Sequence, residues 1–342
     1  MMTNNRFGQQ KGLALISVLL IFAIVAVLAG AMIERQSLDI QRSGNLQALQ
    51  QARAYSTGIE YAVRSGLQLD FENNKEVDHL LEEWAKQHTY PLSPGTAQIQ
   101  IFDAQARFNL NSLHPTSSNK TAQLQRFKNL LAELGLDEGI AINTAKFIDK
   151  DSQVDDDYLS TEVPYRASYQ IFKHPSELLL VQLVDAKSYR MLTPYITALP
   201  ASVTLNVNTA SNIVLSSLST TWSIAEADKV VSARGEEGFK KVDDFWGLPE
   251  VIPLTKKDPD EDDKNPKEVW DKADFSVNSE YFEVFAKVDL ADRTATVEML
   301  LYRNAETGKM RTYYRDYSRT EARIPTSSSI DNGDDSNDGN NP

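Results

Sequence analysis

Cysteine is absent from this sequence. That removes disulfide staples, thiol chemistry and cysteine-ligated zinc, so an exported domain built from it must hold itself by packing or by a metal. Histidine is scarce: His79, His88, His114 and His174 are the only four, and they are scattered. No H-E-x-x-H, G-x-S-x-G or G-x-x-x-x-G-K-[S/T] occurs. A hydrolase reading therefore lacks both a recognisable nucleophile and a His–acid pairing. Positive charge is also in short supply, with 35 Lys and Arg against 48 Asp and Glu, a net charge of −13. Such a balance argues against a general nucleic-acid surface. Proline is missing from Leu13 to Tyr90, and any charged residue is missing from Leu13 to Ile33.

What fills that charge-free interval is LALISVLLIFAIVAVLAGAMI. As a helix it spans the roughly 30 Å of a bilayer core. Three readings compete. A cleaved secretory signal has a shorter apolar run, although Ala29-Gly30-Ala31 imitates a cleavage site. A plain signal anchor would place the N-terminus in the cytoplasm, because Arg6 and Lys11 precede the span. The third is a leader cut between Gly12 and Leu13: it is short and basic and ends in Gly directly before the apolar run, which resembles the signal read by prepilin peptidases. Most prepilins carry Glu at the fifth mature position; counting from Leu13, this chain has Ser17. A carboxylate in hydrocarbon is retained only with a partner or a task, and a subunit at a filament tip has no neighbour above it to supply one.

Beyond Ile33 the pattern stays helical. Ile59, Ala62, Val63, Gly66 and Leu67 mark one face, so a single helix is expected to about Leu69, its first half in the membrane and its second half on a sheet. Residues 73–90 predict a short amphipathic helix with Val77, Leu80, Leu81 and Trp84 inward, and Ser93-Pro94-Gly95 a turn. Residues 97–103 alternate as a strand and run into A-R-F-N-L-N-S-L, expected to be a strand-to-helix turn. Leu124, Phe127, Leu130, Leu131 and Leu134 keep helical spacing, ended by Gly135. A second helix, about 137–148, leads to an acid cluster. Ser176 predicts an N-cap, and His174 beside it a surface loop position. Strands are expected at 275–288, 294–303 and 309–315, as an antiparallel meander. After about Arg323 the tail is rich in Ser, Asp and Asn and is expected to be disordered.

The acid cluster is D-K-D-S-Q-V-D-D-D-Y, from Asp149 to Tyr158. The plain reading is a solvated charged loop. The other is a calcium site, since Ca²⁺ takes six to eight hard oxygens and closely spaced aspartates supply them. The Gly and distant Glu of an EF-hand are missing. Asp258, Asp260, Glu261, Asp262 and Asp263 form a weaker second candidate. Residues 206–246 (N-x-N-T-A, A-x-x-V-V-x-A-R, G-F-K-K-V-D-D-F) look like a helix-hairpin-helix DNA-binding unit, whose backbone amides would hold phosphate. Val214, Leu215, Leu218, Ala227, Val230 and Val231 are expected in its core, closed by Phe239, Val242, Phe245 and Trp246.

Several of these stretches resemble one family in the right order: D-x-x-A-R-F-N-L-N-S-L at 103–113, F-I-D-x-D with D-D-Y at 147–158, P-Y-R-A at 164–167, S-E-L-L-L-V at 176–181 and S-V-N-S-E-Y-F at 276–282. The family is the minor pseudopilin K of type II secretion, within the type IV pilin superfamily. It lacks the fifth-position Glu. The resemblance implies an α+β pilin-like fold, a long N-terminal helix on an antiparallel sheet, with a large and mostly helical inserted domain. The implied layout is a leader at 1–12, a membrane helix at 13–33, a pilin-like body from 34–113 and 272–323, an insertion at 114–271 and a tail at 324–342. It implies cleavage at Gly12 by the prepilin peptidase, methylation of Leu13, and an inner-membrane anchor with the C-terminal domain in the periplasm. It implies pseudopilins I and J as partners, a tip position with a role in pseudopilus initiation and in export of folded proteins, no catalysis and no nucleic acid. It also implies calcium, at Asp149, Asp151, Asp156 and Asp157. A membrane-anchored DNA-uptake protein using the helix-hairpin-helix unit is the alternative.

Overall fold

The computed structural model describes residues 10–93, 95–117, 119–255, 270–290 and 293–318. The charge-free run and the amphipathic stretch behind it form one uninterrupted helix, α1 (Gln10–Asn73), as the absence of proline allows. Its buried stripe is Ile59, Val63, Leu67 and Phe71, four residues apart. Ala62 and Gly66, expected on that face, are exposed. The stripe packs on a five-stranded antiparallel sheet ordered β1 (His88–Leu92), β2 (Gly95–Asp103), β7 (Tyr281–Leu290), β8 (Arg293–Arg303), β9 (Met310–Asp316). The inward row of β2 is Ala97, Ile99, Ile101 and then Asp103. Full burial of each large apolar chain in this layer contributes about 1.5–3 kcal/mol. At the other edge Glu60 ties α1 to β9, accepting from Arg315 at 2.7 and 2.8 Å. Burial works against its charge, yet the hydrogen bonds from Arg315 and Thr312 hold its carboxyl below the ordinary value.

Residues 73–90 do not form the expected helix. After α1 the chain runs through turns, a 3-10 turn at Glu83–Ala85 and the edge strand β1. Val77 and Trp84 are buried as expected, but Leu80 and Leu81 are 52% and 61% exposed. Tertiary contacts override the periodicity. The Asp78 amide donates to the carbonyl of Val277 at 3.0 Å, Trp84 packs edge-to-face on Phe282, and β2 recruits residues 88–92. Pro91 is tolerated there because β1 is an edge strand.

The chain between β2 and β7 builds a second core. It contains β3 (Phe108–Asn109), α2 (Lys120–Glu133), α3 (Gly139–Ile148), α4 (Asp155–Leu159), α5 (Ala186–Leu192), β4 (Ile196–Thr197), β5 (Leu205–Asn206), α6 (Asn212–Ser216), α7 (Ile224–Ala233), α8 (Val242–Trp246), α9 (Ile252–Thr255) and β6 (Phe275–Ser276). Gly135 ends α2 at φ +66, the left-handed closure expected of it. The core draws in Phe108, Leu110 and Leu113 from one flank and Phe275 and Val277 from the other. Accordingly β3 and β6 leave the main sheet and pair in parallel with β4 and β5. Leu199 of the insertion packs with Tyr281 and Leu300, across the sheet from α1.

Two smaller expectations are corrected. The cap at 174–180 is His174, with Pro175 first in a 3-10 turn; the His174 ring accepts from the Ser176 amide. Val231 is 37% exposed, while the other expected core residues of its unit, from Val214 to Val230, are buried. The tail at 324–342, the turn residue Asp292 and the second acidic candidate at 258–263 lie outside the described residues.

Candidate functional site

Gly12 and Leu13 stand in the first turn of α1. From Leu15 to Ile33 the large apolar side chains are all more than half exposed, and the most apolar 18-residue window of the helix has a mean hydropathy of 2.9 with none of it covered by the protein. This helix is long and apolar enough to cross a bilayer. An uncovered surface of that extent needs a lipid or protein environment.

The acidic loop is spread along a helix end, a turn and a helix start. Asp149 closes α3: one oxygen accepts from the Asp151 amide at 3.0 Å and the other pairs with Lys120 at 2.9 Å. Burial is the largest single influence and opposes its charge, but the Lys120 bond and the Asp151 amide together outweigh it and hold its carboxyl below the ordinary value. Asp155, Asp156 and Asp157 form the first turn of α4, where the helix dipole favours negative charge. Asp155 caps the Ala167 amide and pairs with Arg166. Asp151, Asp156 and Asp157 are exposed. In this arrangement the loop is not a preassembled calcium sphere: the donors are of the right chemistry, but Asp149 already holds a cation and the others do not converge on it.

Among the described residues, the acids whose oxygens converge within 4.8 Å are Asp70, Asp78 and Glu82. Sequence patterning did not single them out, because they meet only after α1 ends. Two of them share Arg303, which donates to both Asp78 oxygens at 2.6 Å and approaches Asp70 at 3.4 Å. Glu82 accepts from the His79 amide and the Trp84 indole. Burial pushes the Asp78 carboxyl up to about 7 and Asp70 to about 6, with Arg303 opposing both.

The stretches that carry the family resemblance meet at the junction between the sheet and the insertion. Asp103, fully enclosed, accepts from the Gln105 amide, Asn206, Thr209 and Ser279 at 2.6–2.9 Å. Burial pushes its carboxyl upward against these bonds. Arg107 pairs with Glu283 of β7 at 2.6 Å, both buried. Asn111 binds both the N–H and the C=O of Phe172 at 2.8 Å, and Asn208 does the same for Phe239. Each amide stands in for a strand neighbour and satisfies buried backbone groups. Asn109 binds Leu199 and Pro200 likewise. Asn109 also serves the local turn, accepting from the Asn111 amide, but the main partners of these amides are some 30–90 residues away. His174 is a junction residue, not a free loop position: its ring lies edge-on to Tyr314 and 3.4 Å from Glu298.

The helix-hairpin-helix-like unit does not present a phosphate site. The residues after α7 are Arg234-Gly-Glu-Glu-Gly, with Glu236 and Glu237 exposed and Arg234 buried, donating to the carbonyl of Ala210. Gly238, at φ +68, lies against Asn208, and a Cβ there would meet its amide at 2.9 Å. Two acids at the hairpin repel a nucleic-acid backbone, Arg234 is turned inward, and Lys240 is paired with Glu237 at 2.8 Å.

Two sequence models described as type II secretion system protein K match residues 106–201 and 205–262. Type II secretion system protein K of Pseudomonas aeruginosa is 35% identical, covering 94% of this chain and 97% of that protein. The protein of the same description from Klebsiella pneumoniae is 30% identical over 70% of this chain. The fold is similar, at a TM-score of 0.69 and 28% identity, to a chain in the crystal structure of the GspK-GspI-GspJ complex from enterotoxigenic Escherichia coli, covering 82% of this chain and all of that one.

Proposed function

Since this chain belongs to the type II secretion system protein K family, we propose that it is the minor pseudopilin at the tip of the pseudopilus, where it helps start assembly and supports export of folded proteins through the outer membrane. Its partners in that role are pseudopilins I and J, the pair named with the similar Escherichia coli chain. The observation that carries the reading is the division of α1: an uncovered apolar half followed by a half clamped on an antiparallel sheet. One end belongs to a membrane or a filament, and the other bears a broad folded head. Its role is structural rather than catalytic. It sits in the inner membrane by a single span, with the head in the periplasm, as Arg6 and Lys11 before the span favour.

Maturation follows from the same stretch. The prepilin peptidase cuts after Gly12 and Leu13 becomes the methylated N-terminus, placing Ser17 at the fifth position. A subunit without an acid there has no need of a neighbour's ammonium above it, which suits a tip. The insertion widens the tip beyond a bare pilin head. Calcium is a further part of the proposal: Asp149, Asp151, Asp156 and Asp157 would hold it after Asp149 exchanges Lys120 for the ion.

The test is the mass of the mature N-terminus in cells with and without the prepilin peptidase. A start at methyl-Leu13 that disappears without the enzyme is expected. An uncut chain, or a cut near Ala31, would remove the pseudopilin reading.

A further inference from the structure

An exposed apolar patch lies on the insertion, where α3, α4 and the chain after the 3-10 turn at Pro175–Leu180 meet. Its members are Ile142, Leu159, Val163, Leu180 and Leu183, each 40–76% exposed. Hydrogen bonds hold their segments side by side. The Asn143 side chain donates to the carbonyl of Gln182 at 3.4 Å, and the Gln182 side chain to the carbonyl of Asp157 at 3.0 Å. The Tyr165 hydroxyl donates to the carbonyl of Leu180 at 2.8 Å. Leu183 reaches Gly139, where a Cβ would stand 2.9 Å from its Cδ1 and 3.0 Å from an Asp137 oxygen. Leu183 also sits at φ +70, a setting that suits Gly or Asn better than an aliphatic residue. Apolar side chains gathered in this way on a surface mark a place for a partner.

The segments that carry the patch, 137–146, 155–166 and 180–183, hold Asp137, Glu138, Asp155, Asp156, Asp157 and Glu162 against Lys146 and Arg166. Arg166 is already paired with Asp155. Asp137, Glu138 and Glu162 are exposed and stand outside the calcium set proposed above, so the surroundings stay acidic with or without the ion. A second copy would set the same acids against each other, and an anionic bilayer would be repelled. A cationic apolar segment meets both the leucines and the acids.

We propose that this face of the insertion docks an amphipathic protein segment, its leucine-type side chains covering the patch and its lysines or arginines meeting the acids around it. The inference goes beyond the tip position proposed above and does not depend on it.

The experiment uses the full chain in phosphatidylcholine nanodiscs, with empty discs as the blank. The probe is a labelled helical peptide of Leu and Lys with its leucines at i, i+3, i+4 and i+7. One twin replaces every Leu by Ser, and another every Lys by Glu. The Leu/Lys peptide is expected to bind the wild type about tenfold more tightly than either twin. It should bind a Leu180→Ser, Leu183→Asn double variant about tenfold more weakly; both positions are exposed, and Asn suits the left-handed setting. Equal binding by the Ser twin would mean attraction by the acids alone, and equal binding by the Glu twin adhesion by the leucines alone; either overturns the proposal. So does a double variant that binds like the wild type, or a wild type that binds no more than the blank. Pairing of loaded discs, or flotation with phosphatidylglycerol vesicles, that the double variant loses would put a second copy or a bilayer on the patch instead.

Discussion

Arg303, at the end of β8, holds both carboxylate oxygens of Asp78, in the loop that leaves α1, at 2.6 Å. Its guanidinium also lies 4.6 Å over the ring of Phe282. The pair is enclosed, so removing one member strands the other. Asp78→Ala is expected to cost about 3–5 kcal/mol, with the urea midpoint falling accordingly. An unchanged midpoint would mean that the loop is held by apolar packing alone.

The same burial sets a pH dependence. Asp78 and Asp70, at about 7 and about 6 in the folded chain, have ordinary values near 3.8 when unfolded. Between those limits the folded state binds more protons, so their contribution is fully present below about pH 4 and is lost as pH rises through 6–7. Glu60 and Asp149, held below their ordinary values, act oppositely and lose their contribution only in acid. Thermal unfolding is therefore expected at a higher temperature at pH 5.5 than at pH 7.5. Asp70→Asn should flatten that difference; a steeper one would contradict the assignment.

Asn111 and Asn208 each satisfy both backbone groups of one distant residue. Their replacement by Ala leaves a buried N–H and C=O unpaired, at about 1–3 kcal/mol. Hydrogen exchange should report it locally, with Phe172 losing protection in Asn111→Ala and Phe239 in Asn208→Ala. Uniform loss across the chain would instead indicate global destabilisation.

Calcium binding by the acidic loop predicts a melting temperature that rises with Ca²⁺ and falls with EDTA. Stabilisation at a hundredfold excess over the dissociation constant is about 2.7 kcal/mol. Asp149→Asn and Asp156→Asn should abolish the shift. A melting curve indifferent to EDTA would leave Asp149 as the partner of Lys120 and the loop as a solvated surface.

A DNA-binding role for the hairpin predicts retention on DNA at low salt that weakens steeply as salt rises. With Glu236 and Glu237 outward and Arg234 inward, no such retention is expected in a filter-binding assay. Saturable, salt-sensitive binding would reopen the alternative.

The sequence by itself determined the elements whose cause is local. An uncharged, proline-free run makes a helix wherever it is placed, so α1 was readable almost to its end. Strict alternation marked β2, β7, β8 and β9, and Gly135 marked the end of α2. Motif order pointed to the family without saying what the motifs do. Only the tertiary structure decided that. It turned the 73–90 periodicity into turns and an edge strand, moved β3 and β6 out of the main sheet, and made His174 a junction residue. It gathered Asn206, Thr209 and Ser279 around the buried Asp103 carboxylate, and brought Asp70, Asp78 and Glu82 together, the first two sharing Arg303. The physical reason is the range of the forces involved. Helix and strand periodicity record which face of a segment is buried, and that survives in neighbouring residues. A buried polar group must find its partner wherever the chain supplies one, and for Asp103 the partners lie 103 and 176 residues away.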